Sequence, residues 1–120
     1  MNLKEIADEL VAGCREDRAK KNLAKLYAPD AVSVEAQDFM DMGRETHGVD
    51  GIRGKHEWWE GAHEVSGASV SEPYLHGDDR FAVIFEVQGK VKDSGDSFDM
   101  KEVGIYHVAD GKIVREEFFY

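Results

Sequence analysis

The chain has 120 residues, 42% of them hydrophobic and 33% charged, which describes one globular domain able to bury roughly two thirds of its unfolded surface rather than a disordered segment. A formal net charge of −10 and a sequence pI near 4.9 argue against nucleic acid or an anionic membrane surface as a partner. No apolar run approaches the roughly 18 residues of a membrane span, no signal-peptide core opens the chain, and the single Cys14 cannot form an intrachain disulfide, so a cytoplasmic protein is expected.

Asn2 and Glu5 form a capping pair, after which Leu3, Ile6, Leu10, Val11 and Cys14 recur at helical spacing. Cys14 fits that stripe as a small buried hydrophobe, with no His or CxxC partner nearby to make it a reactive thiol. The charged run from Arg15 to Lys21 reads as a solvated face or turn. A short second helix is predicted to hold Leu23, Leu26 and Tyr27 and to stop before Pro29. Ala31–Ala36 then alternates as a strand, with Val32 and Val34 on one face and Ser33 and Glu35 on the other. The stretch 37–48, with Phe39, Met40 and Met42, is expected as an irregular connection: a lid over a neighbouring cavity or a loose surface loop.

The segment from Asp50 to His63 is the centre of the chain. Ile52, His56, Trp59 and His63 share one face at a 3.6-residue period, with Asp50 as N-cap. Two imidazoles on that face are costly unless each finds a hydrogen-bond partner, so the helix is expected to line a site as well as a core. Trp58, off the stripe, reads as structural or as a subunit contact. Four strand-like segments follow: Val65–Leu75, Arg80–Val91, Phe98–Val108 and Ile113–Tyr120, the last pair joined by the hairpin dipeptide Asp110-Gly111. Helices followed by an antiparallel meander predict an α+β domain, a curved, mostly antiparallel sheet wrapped around helices, with the closing Glu-Phe-Phe-Tyr buried.

The chain has neither a dinucleotide-binding glycine pattern nor a phosphate-binding P-loop. His56, Glu60 and His63 can share a helix face and bind a metal, but one helix rarely supplies a full ligand set, and no metal is expected. What remains is a group of acids and imidazoles on elements that should face one another: Glu35, His56, His63, Glu102 and Glu116. Alternation places Phe98, Met100, Glu102 and Tyr106 on one face of the penultimate strand, and Glu116, Phe118 and Tyr120 on one face of the last. Each Glu either points to solvent or lies among aromatics, where burial would raise its pKa and make it a proton shuttle.

Four stretches resemble the nuclear-transport-factor-2-like superfamily, in its SnoaL-like and ketosteroid-isomerase-like branch. These are Leu26-Tyr-Ala-Pro-Asp-Ala-Val-Ser-Val-Glu35, His47-Gly48, Val108-Ala-Asp-Gly-Lys-Ile113 and Val114-Arg-Glu-Glu-Phe-Phe-Tyr120. With the element order, the resemblance spans the whole chain as one domain, 1–120. It implies a cone-shaped α+β fold with a central pocket and a homodimer formed through the outer sheet face. It also implies that Glu35 occupies the position of the isomerases' carboxylate base and His56 that of a pocket tyrosine. The first helix carries Val11, Ala12 and Cys14 where those isomerases have an oxyanion-binding tyrosine. Their second acidic donor aligns near Gly104, one inward position from Glu102.

The resulting expectation is a cofactor-independent isomerase or cyclase acting on an apolar cyclic small molecule. Glu35 would remove a proton next to a carbonyl, and His56, His63, Tyr106 or Glu102 would hydrogen-bond the enolate. Trp59, Glu116, Phe118 and Tyr120 would surround the substrate. A hydrolase using paired carboxylates to open an epoxide is an enzymatic variant. A non-catalytic ligand-binding or dimeric association module is the alternative.

Overall fold

The computed structural model describes residues 1–38 and 41–120. Among them are three helices and seven strands: α1 Leu3–Arg15, α2 Ala19–Leu26, β1 Tyr27–Val34, β2 Glu45–His47, α3 Val49–Ala62, β3 His63–Val70, β4 Tyr74–His76, β5 Arg80–Val91, β6 Ser97–Ala109 and β7 Lys112–Phe119. The strands form one sheet in the order β2-β1-β7-β6-β5-β3, with β4 also paired to β5. Only β1 and β7 run parallel among these pairings. The fold is therefore α+β with a large, mostly antiparallel sheet.

Local chemistry accounts for most boundaries. Asn2 accepts from the Glu5 backbone N–H while the Glu5 carboxylate accepts from that of Asn2, so α1 begins with a capping box. Ile6, Leu10 and Val11 of its predicted stripe are buried, with Ala7 beside them. They meet Leu23 and Leu26 of α2, Ile52 of α3, and Phe81, Val83 and Ile113 of the sheet in one core.

Four boundaries differ from the sequence expectation. Gly48, not Asp50, caps α3, with a φ of 87° that glycine adopts without the Cβ penalty, and Asp50 pairs with Arg53 in the first turn instead. Tyr27 ends α2 and begins β1, and Pro29 lies inside that strand. There the ladder to β7 shifts register between Tyr27 and Val32, so Pro29 removes no regular hydrogen bond. The segment expected as one strand from Val65 to Leu75 starts at His63 and splits into β3 and β4 around Pro73. The stretch 37–48 contains β2, paired with β1 through Val32 and His47.

Phe39 and Met40, on which a lid would rest, lie outside the described residues, and Met42 is 80% exposed. The chain end is not buried either: Phe119 and Tyr120 are 56% and 43% exposed. β7 is paired with β6 as far as its last residue, Phe119, and Tyr120 lies beyond the strand. No helix among the described residues is long and apolar enough to cross a membrane.

Candidate functional site

The inward face of the sheet follows from register. Phe85 pairs with Glu102, Val83 with Gly104 and Phe81 with Tyr106; across the next ladder Gly104 pairs with Phe118 and Tyr106 with Glu116; and Glu116 pairs in turn with Ser33 of β1. Alternation therefore brings Glu102, Tyr106, Glu116 and Phe118 to one surface, as expected, and adds Phe85 and Ser33. α1, α2 and α3 cover this surface without filling it. A cavity of about 160 Å³ remains. Leu10 and Cys14 of α1, Ala19 and Asn22 of α2, and His56 of α3 wall it from the helix side. Tyr27, Phe85, Glu102, Tyr106, Glu116 and Phe118 wall it from the sheet.

The polar groups in this wall are few and strongly perturbed. Glu116, only 2% exposed, accepts a 2.5 Å hydrogen bond from the Tyr27 hydroxyl. Its burial raises its pKa more strongly than the Tyr27 hydrogen bond lowers it. Burial, reinforced by the Glu116 charge, likewise pushes the Tyr27 and Tyr106 phenols well above their ordinary range, so both remain O–H donors. Tyr106 stacks on Phe81 at 4.9 Å, and its hydroxyl makes no hydrogen bond among the described residues, leaving a donor aimed at whatever occupies the cavity.

Burial, with a smaller push from Glu35, raises Glu102 from 4.5 to about 7. Burial, then the nearby Lys55 ammonium, lowers His56 below 6.5, which keeps the imidazole neutral at pH 7. Cys14 is raised to about 11 by burial and behaves as a small hydrophobe rather than a thiolate.

Gly104 explains where the acid on β6 must sit. A Cβ at this position would lie 3.0 Å from the Tyr106 ring and 3.2 Å from that of Phe85. A side chain there would press on both rings, and the next inward position, Glu102, carries the carboxyl group.

Glu35 is placed differently from its expected position in the cavity wall. It lines a neighbouring crevice of about 230 Å³ with Arg44, Phe118 and Tyr120. Its Oε1 accepts from the Lys55 ammonium at 2.5 Å and its Oε2 from the Tyr120 hydroxyl at 3.2 Å. Lys55 also donates to the fully buried Ser33 hydroxyl at 2.8 Å.

Trp59 and His63 are not in the cavity wall. Their rings stack at 4.4 Å at the end of α3, with Phe98 edge-on to both, and the Trp59 carbonyl bonds to His63 Nδ1 at 2.7 Å. Of the predicted stripe, only Ile52 is fully buried and His56 faces the cavity. Among the described residues no group of three or more metal-ligating side chains converges, so His56, Glu60 and His63 do not assemble a site.

Sequence reasoning missed Tyr27, Asn22, Phe85 and Lys55. Lys55 stands three residues after Ile52, so a helical face that includes the i+3 position would have found it. Tyr27 carries no such signal, because its partner is 89 residues away.

An α+β sheet whose inner face holds such a cavity defines the nuclear-transport-factor-2-like class. Residues 1–120 match the SnoaL-like domain, and the chain belongs to that family. A Mesorhizobium loti protein provisionally named a SnoaL-like polyketide cyclase is 36% identical, with 100% of both chains covered and a TM-score of 0.91. A Mycobacterium tuberculosis protein in complex with estradiol-17β-hemisuccinate superimposes with a TM-score of 0.75 at 17% identity, over 100% of this chain and 95% of its own. TerC, co-crystallised with polyporic acid, gives 0.72 at 21% identity, over 97% and 88%. The last two share the fold alone. Among curated proteins, none matches the chain.

Proposed function

We infer that the chain is a small-molecule enzyme that moves a proton next to the carbonyl of an apolar ring, with Glu102 as the base. The observation that carries this reading is a carboxyl group that burial raises to about 7 in the wall of the inner cavity. A general base is most effective when its pKa lies near the working pH, and desolvation strengthens its hydrogen bonds. The Tyr106 hydroxyl is an available donor for the oxygen that becomes negative, and the Tyr27–Glu116 pair and neutral His56 are further polar groups around it. Names and ligands of the related proteins, a cyclase in one case and ring compounds in two others, agree with a cyclic substrate.

Glu35 enters this reading as the partner of Lys55, not as the base. Both of its oxygens are occupied and it stands outside the cavity wall. The homodimer implied by the family resemblance is part of the same reading, formed through the outer face of the sheet. No cofactor takes part, since enolisation needs only a base and a hydrogen-bond donor.

A single-ring probe, 3-cyclohexen-1-one, fits the volume and tests the mechanism. Its isomerisation to 2-cyclohexen-1-one removes a proton from C2 and returns one to C4. Glu102→Gln is expected to lower kcat by about a hundredfold to ten-thousandfold, with Glu35→Gln changing it far less. The opposite ranking would return the base to Glu35. Retained ligand affinity with no turnover in any variant would favour the alternative, a binding module, for which the small volume of the cavity speaks.

A further inference from the structure

Most polar groups in and beside the inner cavity have a partner or a part in the proposed reaction. Tyr27 and Glu116 bond to each other, and Glu35 is paired with Lys55 in the outer crevice. Glu102 is the base, and the Tyr106 hydroxyl is the donor for the ligand's carbonyl oxygen. Asn22 is the member of the wall to which that reaction gives no part. It is 5% exposed and stands on the helix side of the cavity, whereas Tyr106 stands on the sheet side.

Its surroundings decide which end of the Asn22 amide is available. Nδ2 donates to the Glu9 backbone carbonyl at 3.2 Å, and only the NH2 end of an amide can bond a carbonyl oxygen. The Glu9 carboxyl group is held below its usual range by Arg18 and then by the same Asn22 amide, so its charge also favours the nitrogen on that side. Gly13 makes room for the arrangement, because a Cβ there would collide with Asn22 Nδ2. Oδ1 is left. It accepts from no group among the described residues, and none of their buried side-chain polar atoms lacks a partner. This oxygen is therefore not sealed in the core but open at the cavity wall that Asn22 lines.

We propose that Asn22 determines specificity by accepting a hydrogen bond from a hydroxyl group on the substrate ring. The substrate class is then a hydroxylated cyclic carbonyl compound, whose carbonyl oxygen accepts from Tyr106 on one side and whose hydroxyl donates to Asn22 on the other. The cavity of about 160 Å³ is close to the roughly 150 Å³ that holds one benzene ring, so both groups belong to a single ring. A ring without the hydroxyl would strip water from Oδ1 and leave it unpaired. This rests on the cavity being a ligand site, as argued above, but not on which residue is the base.

Calorimetry on the full chain tests it with matched probes: 3- and 4-hydroxycyclohexanone against 3- and 4-methylcyclohexanone. The better hydroxy ketone should bind about tenfold more tightly than its methyl counterpart. Asn22→Leu, similar in size but without an acceptor, should remove that preference. Gly13→Ala displaces the amide while keeping Asn22, and should weaken the preference in the same direction even where the Asn22 variant does not fold. Tyr106→Phe should weaken both members of a pair alike and leave their ratio unchanged.

A wild-type protein that binds the methyl ketones equally well, or a hydroxyl preference that survives Asn22→Leu, would overturn the assignment of Asn22 while the pocket stands. If none of the four ketones binds, the pocket reading fails and this inference with it. None of them carries a ring double bond to move, so binding is measured apart from turnover.

Discussion

Glu102 couples the proposed chemistry to the stability of the fold. Its carboxyl group is lifted from 4.5 to about 7 mainly by burial, so between these values the native protein holds a proton that the unfolded chain has released. Stability contributed through this group must therefore fall as pH rises from about 4.5 to about 7. His56 acts in the opposite sense below 6.5, because its lowered pKa leaves the native ring neutral while the unfolded one charges. Comparing Glu102→Gln with the wild type isolates the first effect. Urea denaturation should find the variant more stable by about 1–2 kcal/mol at pH 8, allowing for partial exposure of the group, and no more stable at pH 4. Turnover of 3-cyclohexen-1-one should rise with pH through about 7 as the base ionises.

Tyr27 poses the complementary case. Its hydroxyl is the donor that satisfies the buried Glu116, so Tyr27→Phe leaves that carboxyl short of a partner. A loss of about 1–3 kcal/mol is expected, larger at high pH where Glu116 ionises. An unchanged denaturation midpoint across pH would show that the pair is not a structural bond.

At the scale of elements, β3 approaches β5 closely at Gly89. A Cβ at Gly89 would stand 2.1 Å from the Glu64 carbonyl oxygen and 3.0 Å from Val65 Cα, both backbone atoms that cannot swing aside. The β3–β5 ladder also shifts register between Val65 and Gly67, where an extra residue bends the strand. Gly89→Ala should cost about 1–3 kcal/mol and loosen the end of α3, where His63 begins β3. Hydrogen exchange should locate the added opening at residues 63–70; protection unchanged there would show that the strands tolerate the separation.

The elements also show how far pattern reading carried. The α1 stripe follows from a period of 3.6, and the shared face of Glu102 and Tyr106 on β6 and of Glu116 and Phe118 on β7 from a period of 2, but alternation left open which of the two faces lines the cavity. The α3 stripe was read correctly as a line but only partly as a site. Trp59 and His63 lie about one and two turns beyond His56, and there they stack on each other outside the cavity wall. The position of Glu35 could not be decided by alternation, which assigns a face of a strand but not what lies opposite it. Lys55 of α3 and Tyr120 beyond β7, both later in the chain, bind that carboxylate in the outer crevice.

At the scale of the whole molecule, the outer face of the sheet carries an apolar strip at its middle, flanked by the Glu86–Lys101 and His107–Arg115 pairs. Ile84 pairs with Val103, Ala82 with Ile105, and Val103 with Phe119, while Tyr74 lies beside Ala82. Phe119 and Tyr74 are more than half exposed. A second copy covering this face is the homodimer proposed above, and a stable one needs roughly 800 Å² from each partner. Sedimentation velocity should find a dimer for the wild type and a monomer for Ile105→Lys, with circular dichroism unchanged. A monomeric wild type at micromolar concentration would remove the proposal. The net charge of −10 implies that added salt strengthens such a contact by screening repulsion between subunits.

Local regularities that recur every two or nearly four residues are written directly into the chain, which is why it determined by itself an α+β domain, the buried stripe of α1 and which residues of β6 and β7 share a face. Contacts between residues far apart leave no such period. Only the tertiary structure decided that Tyr27 holds Glu116, that Lys55 draws Glu35 out of the cavity wall, and that desolvation makes Glu102 a titratable group near neutral pH. A pKa is set by the solvent and charges that surround a side chain once the elements have packed, and no spacing in the sequence encodes that environment.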